Sequence, residues 1–140
     1  MIRQTIFFCL AVATSAPTAA RAASCFVQDR DISSEYSGDC VDGKAHGFGA
    51  AKGRDTYVGG FQHGLKHGKG RYVWGQGGDV YEGDYLRDEW HGKGRYIWGS
   101  HAPDPGSIYV GQFRKGKIDG RGVRTYASDS VKKCVKTQGE

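Results

Sequence analysis

The 140-residue sequence lacks several features that mark common classes of protein. Only 38% of its residues are hydrophobic, so a compact apolar core is hard to build, and the length allows one domain at most. Its longest apolar run, residues 6–13, is far shorter than the roughly 20 residues that a membrane-spanning helix needs. The glycine motifs of nucleotide-binding enzymes do not occur in their strand-to-helix context. These absences disfavour membrane-spanning proteins and nucleotide-dependent enzymes.

Residues 1–22 have the pattern of a secretory signal peptide. Arg3 supplies a positive charge, residues 6–13 an apolar segment, and Ala20-Arg21-Ala22 the small-residue cleavage pattern. We therefore expect export to the periplasm or the medium. Cleavage would remove two arginines and no acidic residue, which lowers the formal net charge from +5 to +3.

One pattern of residues occurs twice in the middle of the chain. The two copies begin at Tyr57 and Tyr81, 24 residues apart, and weaker copies begin at Tyr36 and Tyr109. A fixed period in this range indicates a repeat protein. Each copy places Tyr and Gly at positions i and i+2, with an aromatic residue at i+4 in the last three copies. Because this spacing of two is the period of a strand, these side chains share one face.

The second half of each copy also alternates with a period of two. Gly68, Gly70 and Tyr72 share one parity, whereas Lys69 and Arg71 share the other. Glycine weakens a strand unless something compensates, and an aromatic ring lying across it restores contact area. No copy has the i, i+3, i+4 spacing of an amphipathic helix. The sequence therefore predicts an all-β fold in which antiparallel hairpins follow one another in an elongated, single-layer sheet.

The motif Tyr-x-Gly-x-aromatic-x-x-Gly-x-x-His-Gly-x-Gly resembles the MORN (membrane occupation and recognition nexus) repeat. The resemblance implies about four β-hairpins and a role in scaffolding, protein–protein contact or phospholipid association. It also divides the chain. The expected segments are a lead-in or cap at 23–35, repeats at 36–56, 57–80, 81–108 and 109–126, and a C-terminal cap or tail at 127–140.

Three copies depart locally from the pattern, and the first and fourth are the weak ones, as capping repeats of a stack often are. The first has Cys40 in place of the aromatic residue, with Ala51 and Gly53 where later copies have Tyr and Trp. The third has Asp88 at the turn glycine, and the fourth has Asp119 in place of histidine.

The segments outside the repeats carry three further predictions. The lead-in is expected to cover the exposed edge of the first hairpin, since an open edge favours aggregation. Two prolines at 99–107 predict a surface loop rather than a strand. Val131, Cys134 and Val135 have helical spacing, which predicts a short C-terminal helix.

Three histidines at equivalent repeat positions suggest a shared metal site, but their expected spacing argues against one. His46, His67 and His91 occupy equivalent positions, but equivalent strands of successive hairpins lie roughly 9.5 Å apart, too far to share one ion. No nucleophile or carboxylate has an identifiable partner. We expect no enzyme activity, no metal and no cofactor, and a hydrolase is only a distant third hypothesis.

Two surfaces are the candidates for binding. The aromatic face could bind peptide segments or sugars, although most of its rings should pack on one another. Its residues are Tyr57, Phe61, Tyr72, Trp74, Tyr81, Tyr85, Tyr96, Trp98, Tyr109 and Phe113. The basic face could meet a polyanion, although neighbouring Glu82 and Asp84 favour cross-strand ion pairs instead. Its residues are Lys69, Arg71, Lys93, Arg95 and Arg121.

These observations favour an exported, non-catalytic scaffold or protein-interaction module of the cell envelope, with an envelope protein as partner. The alternative is a peripheral binder of anionic phospholipid or envelope polysaccharide. Salt separates the two hypotheses, because a headgroup contact weakens steeply with ionic strength. Nucleic acid is not expected as a partner, since export separates the chain from it.

Three cysteines remain after cleavage of the signal peptide. Cys25 and Cys40 flank the start of the first hairpin, whereas Cys134 follows the last, roughly 30 Å away in an extended stack. Disulfide geometry therefore favours a Cys25–Cys40 bridge and leaves Cys134 available for a linked dimer. Two alternatives remain open: all three thiols are free, or Cys25 is lipidated, which the lack of Leu at the third position before it disfavours.

Overall fold

A computed structural model describes residues 25–127 and 132–137, the latter by backbone alone. These residues form one antiparallel sheet in which the strands follow one another in sequence order. The strands are β1 (Glu35–Val41), β2 (Lys44–Lys52), β3 (Thr56–Gln62), β4 (Leu65–Val73), β5 (Val80–Leu86), β6 (Glu89–Ile97), β7 (Ile108–Arg114), β8 (Lys117–Thr125) and β9 (Lys132–Thr137). The predicted single-layer sheet of four hairpins, β1–β2 to β7–β8, is confirmed.

Each hairpin closes through a two-residue turn with both residues at positive φ. The values are 51° and 86° for His63 and Gly64, and 51° and 72° for Arg87 and Asp88. This is the turn whose twist matches that of the strands, and its second position favours glycine. Asp88 takes that position in the third copy, and its carboxylate accepts a hydrogen bond from the backbone N–H of Lys66 at 2.8 Å. This contact helps to hold a residue other than glycine in the strained conformation.

A continuous row of glycines crosses the sheet, one from each of β1–β8. The row is Gly38, Gly49, Gly59, Gly70, Gly83, Gly94, Gly111 and Gly122. The tyrosine that starts each repeat lays its ring over two of these glycines. A Cβ atom at Gly94, for example, would lie only 2.6 Å from the hydroxyl oxygen of Tyr81. The predicted packing of rings on glycines is confirmed.

The lead-in lies across the first repeat and not along its edge, so the expectation that it covers the edge is wrong. Its backbone bonds to residues beyond β1: Phe26 N–H donates to Gly43 at 2.8 Å and Gln28 N–H to Gly64 at 2.9 Å. Val27 and Ile32 are buried in the core. These apolar side chains gain more from covering the core than from the open edge.

The unusual residues of the first copy make room for this lead-in. A Cβ atom at Gly53 would lie 2.5 Å from the carbonyl oxygen of Asp31, so the tryptophan of later copies could not fit there. Ala51 is small and buried in the same cluster as Ile32. The predicted Cys25–Cys40 disulfide is confirmed, with Cα atoms 5.9 Å apart. A thioether-linked lipid on Cys25 would exclude this bridge.

The C-terminal segment corrects another prediction. Residues 132–137 form strand β9, antiparallel to β8, where a helix was expected, and the described residues include no helix. The free edge of β8 offers unpaired N–H and C=O groups, which a short segment containing Val and Thr can pair with. The loop at 99–107 is confirmed as irregular, with Pro103 and Pro105 exposed.

The predicted signal peptide, residues 1–22, lies outside the described residues. Within the described part of the chain, no helix is present that could cross a membrane.

Candidate functional site

The aromatic face is used mainly for packing. Seven of its ten predicted residues are buried: Tyr57, Phe61, Tyr72, Tyr81, Tyr85, Tyr109 and Phe113. Tyr81 shows how the repeats interlock, since its ring contacts Tyr85 of its own hairpin at 5.2 Å and Phe113 of the next at 5.0 Å. Such edge-to-face contacts leave these rings no free surface for a ligand.

Four aromatic residues of this face stay partly exposed in one strip, here called the tryptophan strip. Its members are Trp74, Trp90, Tyr96 and Trp98. Ring centroids along it lie 5.7 Å apart for Trp74 and Trp90 and 4.9 Å apart for Tyr96 and Trp98. The guanidinium of Arg124 lies 4.0 Å from the centroid of Trp98 and covers that end. Trp90 was not among the predicted residues of the aromatic face, although its position after the turn matches that of buried Ala45 in the first copy.

A carboxylate closes the open end of the second hairpin. Asp55 accepts hydrogen bonds from the hydroxyl of Tyr72 at 2.8 Å and from the backbone N–H of Gly75 at 3.0 Å. Burial alone would raise the pKa of Asp55, but these bonds and one from Arg54 outweigh it and lower the pKa. Asp79 repeats the arrangement one copy later, with Tyr96 at 2.9 Å and the N–H of Gly99. Neither carboxylate was predicted from the sequence, although each precedes a repeat tyrosine by two residues.

A buried lysine joins the lead-in to the third repeat. Lys66 is 4% exposed, and its ammonium forms ion pairs with Asp29 and, at 3.4 Å, with Asp88. It also lies 5.2 Å from the centroid of the Tyr72 ring. These partners come from segments far apart in sequence, so the repeat pattern does not reveal them.

The basic face is opposite the tyrosine rings and has no layer of protein over it in the described residues. The expected cross-strand ion pairs are present. Lys69 lies 2.6 Å from Asp84, and Glu82 lies 2.9 Å from Arg71 and 3.6 Å from Arg95. Burial opposes ionisation of Asp84, but the bonds from Lys69 and from the N–H of Lys93 lower its pKa.

Two cations of the basic face are not neutralised in this way. Lys93 and Arg121 are exposed, and neither has an ion pair within the described residues. Both line a groove of about 430 Å³ with Lys69, Glu82 and Gln112. A second groove of about 570 Å³ continues from Lys69 and Glu82 towards the first repeat.

Exposed apolar side chains stand at both ends of these grooves. Phe48 is 71% and Val58 40% exposed at one end, and Val110 is 54% exposed near the other. Each of them is next in sequence to a glycine of the row, as Lys69 is, so the period-two pattern could have placed them on this face. The face therefore combines positive charge with uncovered apolar area.

The histidines do not converge on one point. His46 packs edge-on against His63, with ring centroids 5.3 Å apart. Nowhere in the described ranges do three or more His, Cys, Asp or Glu side chains form a group that could hold a metal ion. Within the described residues, the surface offers charge and exposed apolar area for binding.

Fold and surface together define a class: a repeat protein whose β-hairpins stack into one open sheet. The family model of the MORN repeat matches residues 36–53, 57–79, 81–102 and 109–131, more than half of the chain. The protein therefore belongs to the MORN repeat family, which is generally non-catalytic and suggests a protein-interaction or membrane-binding module. A comparison with curated proteins found no match.

Proposed function

We propose that the protein is a small, secreted, bacterial-type MORN module that acts without catalysis in the cell envelope, where it binds another protein through its basic face. One observation carries this proposal: packing uses most of the aromatic face, whereas no described residue covers the basic face, which mixes cations with exposed Phe48, Val58 and Val110. Exposed apolar side chains rimmed by polar and charged ones are typical of protein-binding surfaces.

Export is part of the proposal and rests on the pattern of residues 1–22. N-terminal sequencing of the mature protein should begin near Ala23. An intact Met1 on protein recovered from the cytoplasm would contradict export. A Cys134-linked dimer is a secondary proposal, which a reducible dimer band in the oxidised protein would support.

A pull-down from the native envelope with mature protein as bait tests the binding role. The variant Lys93→Gln/Arg121→Gln should lose the retained protein, because it removes the two cations of the basic face that have no ion pair in the described part of the chain. Its matched control, Lys115→Gln/Lys117→Gln, removes the same charge from two exposed residues, one in the turn between β7 and β8 and one at the start of β8, and should retain the partner. Recovery of no protein by the wild type would contradict the proposed function.

The second candidate is a peripheral binder of anionic phospholipid or envelope polysaccharide. Lys93 and Arg121 favour it, because their charge is available to any polyanion. Ion pairs involving Lys69, Arg71 and Arg95 weaken it by neutralising much of the face. A contact of this kind should weaken steeply as salt is raised, whereas a partly apolar protein contact should weaken less.

A further inference from the structure

We propose that the basic face binds an extended acidic segment of a partner protein, in polyproline II conformation, with an acidic side chain at every third residue. This inference rests on the proposed function and specifies the chemistry of the partner. Three cations, Lys69, Lys93 and Arg121, occupy equivalent positions in successive repeats of the basic face.

Lys69, Lys93 and Arg121 each precede a glycine of the row that crosses the sheet. They stand on β4, β6 and β8, so successive cations are two strands apart. With neighbouring strands about 4.8 Å apart, the cations repeat every ~9.6 Å across the sheet. The groove past Lys93 and Arg121 runs along this row.

The charge of the face selects a negative partner. The five cations of the basic face have two carboxylates, Glu82 and Asp84, between them. These carboxylates already form ion pairs with Lys69, Arg71 and Arg95. Lys93 and Arg121 have no such partner within the described residues. In β9, Lys136 stands at the register position opposite Arg121, which adds a further positive residue to this end.

The spacing selects the conformation of the partner. Polyproline II has three residues per turn and rises 3.1 Å per residue, so every third side chain points the same way after about 9.3 Å. An α-helix needs about 10.8 Å for two turns, and a β-strand turns every third side chain to the opposite face. Polyproline II therefore matches the cation period most closely.

The apolar residues favour a peptide over the other polyanions. Phe48, Val58 and Val110 can cover proline rings or aliphatic side chains of a peptide, whereas a lipid headgroup or an acidic sugar has less to offer them. Sheets also twist by roughly 20–25° per strand, so Lys69 and Arg121 would not face one flat membrane together. A flexible peptide can follow that twist.

Fluorescence anisotropy with two labelled peptides of equal composition tests the proposal on the mature chain. One peptide repeats Glu-Pro-Pro four times, and the other places its four glutamates in one block followed by the eight prolines. We expect the spaced peptide to bind the wild type roughly five- to tenfold more tightly, since each exposed ion pair adds only a small amount. Lys93→Gln/Arg121→Gln should abolish that preference, whereas Lys115→Gln/Lys117→Gln should keep it.

Three results would overturn the proposal. The first is equal binding of both peptides, which would show that net charge alone matters. The second is no binding of either peptide. The third is tighter binding of an oligouronate or of phosphatidylglycerol vesicles, which would assign the face to sugar or lipid. A partner retained in the pull-down despite any of these results would leave the proposed function standing, so the two failures are distinguishable.

Discussion

The first and third hairpins follow the same backbone path but fill their aromatic face differently. In the third, Tyr81 is fully buried and its ring stacks on Trp90 at 4.7 Å and 11°. In the first, Tyr36 is only partly buried, and Val27 and Ile32 of the lead-in supply the apolar contacts. The comparison shows that a terminal repeat can take its core from outside the repeat and that an inner one takes it from its neighbours.

The largest expected effect is on the inner repeat. Tyr81→Ala should lower the free energy of unfolding by about 3–5 kcal/mol, because it removes a buried ring and leaves a cavity over Gly83 and Gly94. Tyr36→Ala is the matched change in the first hairpin and should cost less, about 1–2 kcal/mol, because its ring is partly exposed. Chemical denaturation measures both. Equal losses would break the contrast between the two hairpins.

The next effect belongs to the first hairpin alone. Cys40→Ser removes the bridge that closes a 15-residue separation and should cost about 3 kcal/mol in the chain-entropy model. Cys134→Ser leaves the bridge in place and serves as the control. Denaturation with and without reductant checks this: reductant should destabilise the wild type and the control but not the Cys40 variant. A wild type insensitive to reductant would contradict the structural role of the bridge.

A smaller effect concerns the carboxylate at the open end of the second hairpin. Asp55→Asn should cost about 1.5–3 kcal/mol near neutral pH, because hydrogen bonds to the charged group are lost or weakened. Since folding lowers the pKa of Asp55, its contribution is complete above the ordinary value of 3.8 and is lost as pH falls through the lower, folded value. Asp55→Asn should therefore flatten the loss of stability below about pH 4. An unchanged acid profile in this variant would argue against the assignment.

The smallest expected effects are on the basic face. Lys93→Gln/Arg121→Gln should change the free energy of unfolding by no more than about 0.5 kcal/mol, because both side chains are exposed.

Wild-type sedimentation with anionic vesicles should be weak at physiological salt. Lys69→Glu/Arg71→Glu/Lys93→Glu should remove what there is, and strong binding that survives this triple change would contradict a lipid contact through the basic face.

Local periodicity was enough to predict the hairpins, the two faces and the packing of tyrosine on glycine. It failed where the decisive contact joins distant segments. Lys66 is a charged residue just after a turn, where exposure to solvent is expected. It is buried instead, because Asp29, 37 residues earlier, lies against its ammonium. Ile32 belongs to no repeat, so its burial gave no periodic signal.

The prediction of a C-terminal helix was wrong for a different physical reason. A six-residue segment such as Lys132–Thr137 fits either period, and the open edge of β8 decides in favour of a strand. The sequence was enough to predict which charged residues lie on the basic face, but not which of them form ion pairs. The period-two pattern placed Lys93 and Arg121 on the basic face and favoured ion pairs there. Only the structure shows that Lys69, Arg71 and Arg95 are the paired cations, whereas Lys93 and Arg121 have no ion pair among the residues it describes.

In our proposal, partners bind the basic face and not the face that forms the core. Site-specific photo-crosslinking tests it most directly, with a benzophenone side chain placed at Val110 on the basic face or at Trp98 in the tryptophan strip, in cells that express the native partner. We expect a protein crosslink from Val110 and none from Trp98. A crosslink from Trp98 alone would contradict it and would move the binding surface to the tryptophan strip.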